Sequence, residues 1–207
     1  GEQQRVALAR SLAPEPRLLL LDEPLGALDR ALRERLMIDL RQILKEVGVT
    51  AVYVTHDQTE AFAIGDRIAL MNAGRIEQLD TPQNVFHSPA TKFSARFLGF
   101  HNLLPAVVTG PRSVTTAIGE LHVVASGETV GSKVTLLIRP DAARLAESHA
   151  AAVVALVTGT SFRGKYTQVW VDIEGERLMF ELMEDVPPAG SPINLVFDPQ
   201  DMNILPA

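Results

Sequence analysis

The sequence contains no cysteine. That excludes a disulfide framework and any thiolate metal site, and it fits a reducing compartment. No apolar run approaches the roughly 18 residues of a membrane-spanning helix, and no signal peptide is recognisable. Positive charge is not in excess. The 207 residues carry a formal net charge of -6, which argues against nucleic acid as the main partner. An initiator Met is missing as well. The chain opens on Gly1-Glu2-Gln3-Gln4-Arg5, so a piece of something longer is expected. What is present is apolar material: 46% of the residues, enough for a core without metals or crosslinks. The length suits one large domain or two small ones.

Up to about residue 100, helices alternate with strands. Glu2 to Leu12 is rich in Ala and Leu and predicts a helix, stopped by Pro14 and Pro16. After Arg17, Leu18-Leu19-Leu20-Leu21 is a continuous apolar run between prolines and acids. It predicts a strand buried on both faces of a parallel sheet. Leu32, Leu36, Leu40, Ile43, Leu44 and Val47 recur at helical spacing, and Gly48 stands where that helix should end. Thr50 to Thr55 predicts a second strand, and Asp57 with Glu60 predicts a capping box that opens another helix. Residues 67–72 and 75–79 read as strands about an Ala73-Gly74 turn, with short helices over 82–87 and 90–98. The alternation predicts an α/β sheet with crossover connections.

From about His101 helical periodicity stops, and short β-rich runs are broken by Gly, Pro and Ser. This half repeats itself. Ala106-Val107-Val108-Thr109-Gly110 matches Ala155-Leu156-Val157-Thr158-Gly159, and Gly119-Glu120 matches Gly175-Glu176. The segment from Gly131 to Pro140 matches the one from Gly190 to Pro199. Matches in the same order predict one small barrel built by duplication of about 106–140 and 155–199, rather than two unrelated hairpins.

Asp22-Glu23-Pro24 places two acids at the carboxyl end of the first strand, the edge where open α/β sheets bind ligands. The acids alone leave two readings open, a helix N-cap or a site. His56 ends the second strand in the same way, although a lone His is more often a core residue. If the strands are neighbours, two acids and an imidazole meet at one edge. Phosphoryl chemistry needs such a set: a carboxylate for Mg²⁺, a group to orient water, and a group at the γ-phosphate.

These residues lie in longer motifs. GEQQRVALARSLAPEPRLLLLDEPLGALD resembles the end of the signature motif, Walker B and the D-loop of ABC-transporter ATP-binding subunits, and VYVTHDQTEA resembles their H-loop. The resemblance implies the C-terminal part of a P-loop NTPase domain over 1–100, using ATP and Mg²⁺. It assigns Asp22 to Mg²⁺, Glu23 to the general base and His56 to the γ-phosphate and the water. Asp29 would be the D-loop acid acting across a dimer. Gly1 and Glu2 would end the signature that caps the opposite subunit's nucleotide at a helix N-terminus. Arg5 and Arg10 are expected at the surface or in packing.

Walker A, the stacking aromatic and the Q-loop of that family precede the signature, so the chain alone is expected to leave ATP unbound. Gly159-Thr160-Ser161-Phe162-Arg163-Gly164-Lys165-Tyr166 mimics a P-loop. However, Tyr replaces the Ser or Thr, and an alternating strand follows where a helix is required. It predicts a hairpin connection, with Arg163 and Lys165 solvated rather than holding an oxyanion. Residues 101–207, with Leu136-Leu137-Ile138-Arg139-Pro140-Asp141, are similar to the OB-like TOBE barrel of a subset of bacterial importers.

That resemblance implies an importer ATPase at the cytoplasmic face of the inner membrane, working as a homodimer with permease subunits and, indirectly, a solute-binding protein. The short barrel suits the polyamine and ferric-iron types better than the sugar type, and polyamine is favoured narrowly over ferric iron, with sulfate, molybdate or sugar as alternatives. A non-transport ABC ATPase and an isolated regulatory or dimerisation module are the competing classes. Strands missing before the signature would leave apolar edges that favour dimerisation or strand exchange.

Overall fold

A computed structural model describes residues 2–26, 29–146 and 152–207. Two compact units are present, Gly1–Leu70 with Leu79–Val85, and Met71–Gln78 with Phe86–Ala207. The elements of the first half are α1 (Glu2–Leu12), β1 (Leu18–Asp22), α2 (Arg30–Val47), β2 (Thr50–Val54), α3 (Gln58–Ile64), β3 (Ile68–Asn72), β4 (Arg75–Asp80), α4 (Pro82–His87) and α5 (Lys92–Phe97).

In the first unit β1 and β2 pair in parallel, from Leu18 opposite Thr50 to Asp22 opposite Val54. Parallel neighbours need a long crossover, and α2 supplies it. Its apolar stripe buries Leu36, Met37 and Leu40 with Leu25 and Ile64, and Leu8, Leu21, Leu32, Leu44 and Tyr53 pack against them. The helix stops at Gly48, whose φ of 69° carries no Cβ penalty and whose N–H donates to the Leu44 carbonyl at 3.0 Å. α2 also grips α3 at both ends. Arg33 donates to Asp57 at 3.0 Å, and Arg41 donates to the Ala63 and Ile64 carbonyls. Eight residues along a helix span about 12 Å, close to the length of α3.

The expected two-sided burial of β1 is not found. Leu19 is 5% exposed, but Leu18 and Leu20 are 51% and 70% exposed. Val52 and Val54 lie exposed on β2. Successive side chains of a strand alternate between faces, and among the described residues helices cover one face only. A continuous run of Leu is compatible with either arrangement.

The second half contains β5 (Leu103–Gly110), β6 (Ser113–Thr116), β7 (Gly119–His122), β8 (Lys133–Ile138), β9 (Ala143–Leu145), β10 (Val153–Phe162), β11 (Thr167–Ile173), β12 (Glu176–Leu182), β13 (Pro192–Phe197), a 3₁₀ turn (Pro199–Asp201) and β14 (Met202–Pro206). Two five-stranded sheets run β14-β8-β5-β6-β7 and β12-β11-β10-β13-β9. The strands β5–β8 and β10–β13 therefore pair in the same order. Both first strands carry a bulge, between Val108 and Gly110 and between Val157 and Gly159. The fifth strands change places: β9 follows β8 but pairs with β13, and β14 follows β13 but pairs with β8. One core results, in which Leu104, Leu136, Phe180 and Leu195 are at most 2% exposed.

Side chains close the seams of this unit. Asn102, 2% exposed, donates to the Ile138 and Met179 carbonyls and accepts from the Met179 N–H, joining the two sheets. Arg139 is 3% exposed. It donates to both Asp141 carboxylate oxygens at 3.0 and 2.6 Å, donates to His87 Nδ1 at 2.6 Å and lies 3.4 Å from Asp201. Its guanidinium also sits 5.1 Å from the centre of the Phe86 ring. A buried Arg requires such pairing. α5 ends in a Schellman turn at Gly99 (φ 84°), with Phe100 N–H donating to the Ala95 carbonyl at 2.9 Å.

Candidate active site at the β1 and β2 strand ends

The carboxyl ends of β1 and β2 are side by side, because Asp22 is opposite Val54. Asp22 is exposed and shares the open face with Leu18 and Leu20. The next residue, Glu23, donates its N–H to the Val54 carbonyl at 2.9 Å, extending the ladder by one bond. Its φ is 43°, in the left-handed region. A residue with a Cβ costs about 1 kcal/mol or more there, so the surrounding structure must hold it. Here the turn is closed by Gly26 N–H donating to the Glu23 carbonyl at 3.2 Å.

His56 Nδ1 lies 2.9 Å from Glu23 Oε1, so Nδ1–H donates to the carboxylate. Both side chains are largely exposed, 77% for His56 and 53% for Glu23. The hydrogen bond to Glu23 and the charge of that carboxylate raise the His56 pKa above its ordinary value. Of the residues proposed from sequence, the structure thus joins Glu23 with His56 and places Asp22 at the adjoining strand end.

Asp29 is the N-cap of α2, its carboxylate accepting from Leu32 N–H at 3.0 Å. Glu2 opens α1 and its side chain lies outside the described residues, as does Gly1 altogether. Gly159 to Phe162 belong to β10, and residues 163–166 turn the chain into antiparallel β11. Arg163 N–H donates to the Tyr166 carbonyl at 2.9 Å, and Gly164 takes a φ of 87°. The P-loop look-alike is a hairpin, and its Arg163 guanidinium is held by Gln168.

The capping box forms by half. Asp57 Oδ1 accepts from the Thr59 and Glu60 N–H groups, as a cap should. Burial would raise the Asp57 pKa, but those backbone bonds and Arg33 hold it below the ordinary value. Glu60, however, does not reach back. The Asp57 N–H donates to Thr55 Oγ1 instead, at 3.0 Å. Glu60 is 2% exposed and turns inward, where its Oε2 accepts from Tyr53 Oη and Thr55 Oγ1, both at 2.8 Å. Sequence reasoning missed this network. Its signal was the period-2 spacing of Tyr53 and Thr55, which puts two hydroxyls on one strand face.

Metal sites built wholly from protein need several converging ligands. Among the described residues no group of three or more His, Asp or Glu converges. Mg²⁺ at a nucleotide is different, since one or two carboxylates suffice with phosphates and water. The single open carboxylate of Asp22 fits that demand.

Known proteins resemble the chain over nearly all of its length. Over 99% of its length the chain is 46% identical to the Fe(3+) ions import ATP-binding protein FbpC of Streptomyces avermitilis, covering 59% of that protein. It is 47% identical, over 77% of its length, to the spermidine/putrescine import ATP-binding protein PotA of Thermobifida fusca, covering 43% of that one. The chain is homologous to ABC-importer ATP-binding subunits. Residues 136–205, within the second unit, match the TOBE domain family. Among solved structures, the molybdate-bound cytoplasmic protein ModG aligns over 50% of this chain and 94% of its own, with 10% identity and a TM-score of 0.43, too loose a match to argue from.

Proposed function

We propose that this chain is the C-terminal part of the ATP-hydrolysing subunit of an ABC importer, with residues 1–100 in the ATPase domain and 101–207 forming the TOBE barrel. The observation that carries the reading is the Glu23–His56 pair, 2.9 Å apart at the carboxyl edge of a parallel strand pair. It stands in a chain similar to importer ATP-binding proteins over 99% of its length. Asp22 would hold Mg²⁺, which when bound neutralises charge on the ATP phosphates. Glu23 accepts a proton from, or orients, the attacking water. His56 holds the Glu23 carboxylate through Nδ1–H and presents its other ring nitrogen to the phosphate end. Gly1, Glu2 and Asp29 would serve the dimer, at the partner subunit's nucleotide and across the subunit boundary. We further propose homodimerisation, docking on permease subunits, indirect dependence on a solute-binding protein, and a peripheral place on the cytoplasmic side of the membrane. Among the described residues no helix is long and apolar enough to cross a membrane.

For the transported solute, whole-chain identity favours ferric iron. The iron-importer relatives are 46% and 44% identical over 99% of the chain, whereas polyamine-importer relatives over the same span are 33% and 36% identical. Polyamine is the second reading, supported by a polyamine-importer relative that is 47% identical over 77% of the chain. The test uses the complete gene product purified with its permease. Glu23→Gln is expected to lower ATP hydrolysis by about 10²- to 10⁴-fold with nucleotide binding kept. Full hydrolysis by that variant would overturn the assignment. Uptake of labelled iron and of labelled spermidine by a deletion strain separates the two solutes.

A further inference from the structure

His56 has a problem of support. Its side chain is 77% exposed and its hydrogen bond is to Glu23, itself 53% exposed. Side chains in water do not hold one direction by such a contact alone. The direction of His56 is therefore set by the backbone on either side, at Thr55 and Asp57.

Both flanks lead to one buried group. Thr55 Oγ1 accepts from the Asp57 N–H at 3.0 Å, which closes a small ring around the His56 backbone. The same hydroxyl donates its proton to Glu60 Oε2 at 2.8 Å. Tyr53 Oη donates to that oxygen as well, fixing the carboxylate from the strand side. On the helix side Arg33 bonds Asp57 and comes within 3.8 Å of Glu60 Oε1. Glu60 is 2% exposed, out of reach of solvent and of any substrate. A carboxylate buried at a helix start, where capping would suffice, is costly unless its bonds do something a cap does not.

We infer that Glu60 is a positioning residue, which through Thr55 fixes the direction in which His56 meets Glu23. The inference rests on the ATPase reading for its consequence in catalysis, but its geometry is tested without nucleotide.

The test compares Glu60→Ala, Glu60→Gln and Thr55→Val in this chain, reading the ¹⁵N shifts of the His56 ring, which report the Nδ1 hydrogen bond. Glu60→Gln keeps an oxygen that can accept both hydroxyls and is expected to retain the wild-type signature. Glu60→Ala and Thr55→Val are expected to lose it, with the far-UV spectrum and the barrel amides unchanged. If Glu60→Ala fails to fold, Thr55→Val carries the result alone. Wild-type ring shifts in a folded Glu60→Ala or in Thr55→Val would overturn the inference, as would Glu60→Gln losing the signature. In the complete gene product Glu60→Ala should lower kcat about 10- to 100-fold with little change in KM. A wild-type product without ATPase activity would count against the functional reading only, since the ring shifts judge the positioning independently.

Discussion

The two units spend their apolar residues in opposite ways. In the barrel, strands from both sheets converge on one interior, and Leu136, Phe180 and Leu195 have no exposed surface at all. In the first unit the β1–β2 pair is covered on one face, and Leu18, Leu20, Val52 and Val54 stand open on the other. The strand ends that carry Asp22, Glu23 and His56 belong to the open unit. The enclosed core and the Glu23–His56 contact thus lie in different units.

The largest test of this contrast is inside the barrel. Phe180→Ala should cost about 3–5 kcal/mol in urea unfolding, because the strands around it cannot collapse into the space. A loss under about 1 kcal/mol would show the interior to be less sealed than described. Next comes Arg139→Met, expected to cost about 3 kcal/mol because Asp141, Asp201 and His87 lose their common partner. The loss should be read in thermal melts at several salt concentrations, and should persist at high salt because the Arg is buried.

Smaller effects belong to the sheet. Leu19→Ala should cost about 2 kcal/mol, while its neighbour Leu20→Ala stays within about 0.5 kcal/mol. Equal losses would mean that the second face of β1 is covered in solution. The pH effect is smaller again. Because Glu23 raises the folded pKa of His56 above the ordinary 6.5, protonation favours the folded state. That contribution is complete below about pH 6.5 and fades as pH rises through the raised value. Glu23→Gln should remove this slope from melting temperature against pH. The smallest effect expected is none: ATP with Mg²⁺ should leave the melting temperature of this 207-residue chain unchanged, since its G-x-x-x-x-G-K segment is a hairpin. A dose-dependent rise would break that expectation.

Much of the frame was legible in the residues. Gly48 marked the end of α2 because only an αL residue without a Cβ closes a helix cheaply. Tyr166 and the alternation after it marked a hairpin because a P-loop must open a helix. The acids after Leu21 and the His after Thr55 pointed to one edge because strands alternate with helices in that half. Three things were not legible. The direction of Glu60 depends on Tyr53 and Thr55, which a capping rule does not consult. The burial of Arg139 depends not only on nearby Asp141 but on Asp201, His87 and Phe86, which lie far from it in sequence. The places of β9 and β14 depend on which sheet had an open edge.

The sequence by itself determined the element order, the helix stops and the residue types at the strand ends, because these follow from local sterics and from periodicity. Only the tertiary structure decided that Leu19 rather than Leu20 is buried on β1, that the fifth strands exchange sheets, and that Glu60 turns inward to Tyr53 and Thr55. Those outcomes depend on which surfaces and hydroxyls meet across the fold, and no local pattern encodes that meeting.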